Sequence, residues 1–171
     1  MAAVGERETI FNSKIKSKGI FSFKDFYKFC FDWLSDETGL DVAEDKYKEK
    51  LTGNEKYIEI EWTGTDKVTD YFKFEVKVAF QLENLVEVEI QQPGGAKIKS
   101  NKGSVEITVK GNLIRDYEGK FDTGWFSKFW RGIYDKWVIP SRIKQFEDKL
   151  AEACSEFLEQ AKAYLDLEGK K

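Results

Sequence analysis

The chain has 171 residues, enough to bury a sizeable core, and its hydrophobic and charged fractions of 41% and 35% are those of a folded domain without low-complexity tracts. The net charge is −3 and positive charge is almost all lysine, with arginine only at Arg7, Arg115, Arg131 and Arg142, which argues against nucleic acid as a partner. There is no histidine, so the commonest general base, the usual imidazole ligand for zinc and the usual pH switch near neutrality are all missing.

Residues 1–8 read as a loose tail. Residues 9–18 read as a strand with lysines 14, 16 and 18 on one face, stopped by Gly19. Ser22 then opens a helix, with Asp25 three residues on. Phe23, Phe26, Tyr27, Cys30, Trp33 and Leu34 share one side of it, and Phe29 and Phe31 widen the stripe. The helix ends near Asp36, with Gly39 as terminator and a short turn or loop over 40–44.

From residue 46 to 117 the period switches to two. Short strands are expected over 47–51 and 57–62, the first closed by Gly53-Asn54 and the second by Gly64 and Asp66. The clearest strand covers 71–82. Phe72, Phe74, Val76, Val78, Phe80 and Leu82 face one way, and Lys73, Glu75, Lys77 and Gln81 face water. Glu83-Asn84 turns it into a strand at 86–90. Pro93-Gly94 turns again, then Asn101-Lys102-Gly103, giving strands at 96–99 and 105–110; Gly111 marks a bulge before 113–117. Such alternation predicts an antiparallel meander of about six or seven strands with one dry face.

A helical arm follows, over 124–168. Its first part, 125–138, is aromatic: Phe126, Phe129, Trp130, Ile133 and Trp137 form a stripe that Trp125, Tyr134 and Val138 extend. After Ile139-Pro140, a long helix carries Ile143, Phe146, Leu150, Ala153, Phe157, Ala161 and Tyr164 on one face. At 1.5 Å per residue it spans roughly 40 Å, long enough to cross the sheet. The expectation is one α+β domain, its dry face covered by helices including this one.

This element order resembles that of the helix-grip proteins of the START-like and Bet v 1-like families, in which a long C-terminal helix lies across a curved seven-stranded sheet. The likeness implies an apolar small molecule held between sheet and helix. The extra helix at 125–138 departs from the pattern and could plug that cavity.

The residues that would line such a site are Trp62, Phe72, Phe74, Phe80, Phe146 and Phe157, although aromatic stripes at strand spacing are more often solid core. Helix 125–138, with Trp125, Trp130 and Trp137, is either core or a surface for a protein partner or membrane interface. Lysines 14, 16 and 18 with 97, 99 and 102 make either a basic patch for an anion or guarded strand edges. The pairs Glu59/Glu61 and Glu87/Glu89 read as solvated charges. No catalytic constellation, metal site or cofactor motif is visible, and Cys30 and Cys154 read as free buried thiols. The sequence thus points to a non-enzymatic binding protein for an apolar small molecule, with an interaction module built on helix 125–138 as the alternative. No run approaches the ~20 apolar residues of a membrane span and no signal peptide is visible, so a soluble cytoplasmic protein is expected.

Overall fold

The computed structural model describes residues 6–69, 71–115 and 140–169. Among them, five strands form one antiparallel sheet: β1 (Glu6–Phe21), β2 (Asp41–Thr52), β3 (Glu55–Lys67), β4 (Phe72–Gln91) and β5 (Lys97–Arg115), in the order β1-β5-β4-β3-β2. Helix α1 (Phe23–Asp36) joins β1 to β2, and α2 (Pro140–Gly169) ends the described chain. Strands β2 to β5 are a meander of hairpins, and β1 returns beside β5.

The strands are fewer and longer than the turn signals suggest. Glu83-Asn84 does not reverse the chain. It is a bulge inside β4, where the register against β5 slips between Glu83 and Val86 and Asn84 takes φ 54°. Gly103, expected to turn, lies inside β5 opposite that bulge; a Cβ on it would sit 2.9 Å from the Leu85 backbone. Glycine is needed there because the bulged strand crowds its partner. Gly64 is likewise inside β3, where Leu40 passes within 3.2 Å of a Cβ built on it. The β3–β4 reversal falls instead after Lys67, closed by Val68 N donating to Phe72 O at 3.0 Å. The bulge foreseen at Gly111 is on the facing strand, between Thr9 and Phe11 of β1. β1 itself begins at Glu6 and runs through Gly19, which pairs with Gly103.

The bulge has a further effect. Asn84 and Leu85 together face Gly103, so the side-chain alternation of β4 shifts by one residue. Leu82 and Leu85 both turn to the buried face, while Val86, paired with Lys102, turns to the outer face. Pairing with β3 ends at Leu85 and pairing with β1 at Asn101, so residues 88–100 form a two-stranded ribbon closed by Gly94 and Gly95 at φ 108° and 90°. The positive angles explain why glycines occupy that turn.

The inward residues of β4 pack as their spacing predicts: Phe72, Phe74, Val76, Val78, Phe80 and Leu82 are all buried. Each large side chain removed from water contributes about 1.5–3 kcal/mol before entropy. Two helices cover them. α1 is capped by Ser22, whose hydroxyl accepts from Asp25 N, and buries Phe26, Cys30 and Leu34. α2 lies over β1 and β5 and buries Leu150, Cys154, Phe157, Leu158, Ala161 and Leu165, a wider stripe than the sequence spacing indicated. The helices meet through Phe29 stacked on Tyr164 at 4.6 Å and Trp33 against Phe157 at 5.8 Å. Cys30 and Cys154 are both free and buried. Among the described residues no helix is long and apolar enough to cross a membrane.

Candidate functional site

The six aromatic residues assigned to a ligand site fall in three neighbouring places along the seam between sheet and helices. Trp62 on β3 and Phe80 on β4 lie under α1, with ring centroids 4.7 Å apart; Tyr27 and Phe31 of α1 meet Trp62 edge-on at 5.2 and 5.4 Å. Phe72 and Phe74 lie at the start of β4 beneath Phe146 of α2, at 5.3 and 6.3 Å. Phe157 sits one level further along α2, against Trp33. Edge-on and tilted contacts at these separations are favourable packing.

Two features break the uniformity of this core. The indole Nε1 of Trp62 is fully buried and, among the described residues, has no hydrogen-bond partner. It lies close enough to the Tyr27 hydroxyl to oppose part of the rise in that group's pKa. Burial, together with donation to Glu44 Oε1 at 2.7 Å, pushes the Tyr27 hydroxyl up to about 12. The second feature is a gradient along α2. Leu150, Cys154, Phe157, Leu158, Ala161 and Leu165 are almost fully buried, whereas Phe146 and Ile143, about one and two turns before Leu150, are only partly so. Helix 125–138, with Trp125, Trp130 and Trp137, lies outside the described residues.

The outer face of the sheet holds a polar cluster that the sequence reading missed. Glu75, expected in water on β4, is only 7% exposed. Its Oε1 accepts from Asn112 Nδ2 at 3.1 Å and its Oε2 from Arg7 Nη2 at 3.1 Å, while Thr9 Oγ1 donates to Asn112 Oδ1 at 2.8 Å. Three strands, β1, β5 and β4, are thereby tied through side chains. A charge at an alternating position carries no mark of burial, and its partners are 37 and 68 residues away. Of the carboxylates expected in water, Glu59 accepts from Lys46 Nζ at 2.7 Å and Tyr57 Oη at 2.6 Å, bonds that hold it below the usual carboxylate range. Glu87 is in reach of Lys99 at 3.8 Å, with both side chains exposed.

The lysines of the suspected basic patch separate. Lys97 and Lys99 lie on the ribbon, paired with Gln91 and Glu89. Lys14 faces Glu106 at 3.9 Å. Lys16, Lys18 and Lys102 converge on an open depression of about 540 Å³ at the β4 bulge. Among the described residues no group of three or more His, Cys, Asp or Glu side chains could hold a metal ion. The chain matches no family model and no curated protein.

Proposed function

We propose that the chain is a non-enzymatic binding protein, and that its ligand is an apolar small molecule taken up between the sheet and α2. The observation that carries this reading is the gradient of burial along α2. The helix is clamped from Leu150 to Leu165, but its first turns rest on the sheet through the half-buried Phe146 over Phe72 and Phe74. Opening that end would expose an aromatic surface without unpacking the rest of the helix. Aromatic walls of this kind suit an uncharged, flat or chain-like molecule.

Native mass spectrometry of the purified protein tests the proposal. The expected result is a population heavier than the chain by the mass of one small molecule, released by organic solvent. A fluorescent apolar probe should then bind the stripped protein, and Phe146→Ala should alter its affinity. A bare chain that binds no probe, or one that retains only a protein partner, would remove the ligand and favour the interaction reading of helix 125–138.

A further inference from the structure

We infer that the outer face of the sheet carries a second, independent site, at the β4 bulge, for a phosphate-bearing small molecule held by Lys16, Lys18 and Lys102. The bulge creates the space. Gly103 has no side chain, Asn84 is turned out with φ 54°, and the surface between β1, β5 and β4 sinks into the depression of about 540 Å³. Register brings the lysines together: Lys16 pairs with Glu106, Lys18 with Ser104, and Lys102 with Val86, so all three project from the same face. None of the three is ion-paired among the described residues, in contrast to Lys14, Lys46, Lys56 and Lys99 elsewhere on the sheet.

Two carboxylates, Glu55 and Glu83, also line the depression. Glu83 is engaged by the side-chain amide of Gln81 at 2.9 Å. Among the residues that line the depression, three ammonium groups stand against two carboxylates, an excess of one positive charge; Glu106, opposite Lys16, is faced by Lys14 at 3.9 Å. Ammonium groups act as point charges without a fixed fork, and three of them around one opening suit the several oxygens of a phosphate better than a single carboxylate. Glu55, which lines the same depression, can accept from any hydroxyl or amine donors the rest of the molecule presents. Lysines can also simply keep an edge strand from pairing with other chains. That role suits Lys16 and Lys18 on β1 but not Lys102, because β5 lies between β1 and β4.

The test is a titration of the intact protein with inorganic phosphate at constant ionic strength, followed by amide NMR. Saturable shifts confined to the amides around residues 16–18, 84–86 and 102–104 are expected. Lys102→Gln should weaken them about tenfold while leaving the remaining spectrum unchanged, the size expected for loss of one charge-assisted contact. Lys48→Gln on β2 should change nothing. Shifts spread over all the lysines, an unaltered response in Lys102→Gln, or an equal response to acetate would each overturn the site.

Discussion

Gly111 of β5 and Cys154 of α2 are in direct apposition: a Cβ built on Gly111 would lie 2.9 Å from Cys154 Sγ. Leu150 Cγ and Phe11 Cβ follow at 3.4 Å. The long helix comes down onto the sheet here because there is no side chain to hold it off. Gly111→Ala is therefore expected to destabilise the fold by about 1–3 kcal/mol through overpacking. Adding Cys154→Ala removes the nearest atom, so the double variant should lose less than the sum of the two single losses. Urea denaturation of the four proteins measures this. Strict additivity would mean the helix does not bear on Gly111.

Glu75 and Phe74 are neighbours on opposite faces of β4, and both are buried. Phe74→Ala should cost about 3–5 kcal/mol through lost burial and a cavity. Had Glu75 been solvated, its removal would fall within about ±0.5 kcal/mol. With Asn112 left without an acceptor, Glu75→Ala should instead cost about 1–3 kcal/mol. The Arg7 side chain is 48% exposed, so Arg7→Ala should cost less than about 1 kcal/mol. A Glu75→Ala variant as stable as the parent would show that the cluster contributes nothing net.

What could be read in advance was what local pattern controls. Phe72 to Leu82 repeat with period two, α1 carries its own cap at Ser22, and the stripe of α2 repeats with helical spacing; each feature is complete within one segment. What could not be read depends on register. Glu83-Asn84 and Asn101-Lys102-Gly103 each resemble a turn. They stand opposite one another, however, so both strands bend and continue, and the expected six or seven strands become five among the described residues. The convergence of Lys102 with Lys16 and Lys18 required the same pairing, as did the burial of Glu75. The six seam residues were legible as inward-facing, but their division between α1 and α2 was not, because it depends on which strands each helix crosses.

The two thiols give a pH-dependent prediction. Burial pushes the Cys154 thiol from 9.0 up to about 12, and raises that of Cys30 as well. A thiol with a raised pKa in the fold keeps its proton at a pH where the unfolded chain has lost it. Stability is then unaffected below about pH 8, and it falls between the unfolded value and the folded one. Thiol reagent should find almost no reaction with the native protein at pH 7 or 9, and two thiols after unfolding without reductant. Fast native reaction at pH 9 would mean the helices open locally around these residues.

The last prediction concerns α2 as a cover. Leu150, Cys154, Phe157, Leu158, Ala161 and Leu165 are buried against β1, β5 and α1. Removing residues 141–171 would uncover the face formed by Phe11, Ile15, Ile107, Val109 and Gly111 at one stroke. Among the described residues, α1 is the remaining helix, and it is engaged over Trp62 and Phe80. Its 14 residues make a helix of about 21 Å, less than half the length of α2. The truncated chain should therefore aggregate or become molten, with helical circular dichroism reduced and near-ultraviolet signals lost. A cooperative thermal transition and dispersed amide spectra for residues 1–140 would show that α2 is a docking arm and not a lid. The uptake of an apolar molecule beneath its first turns would then lose its structural basis.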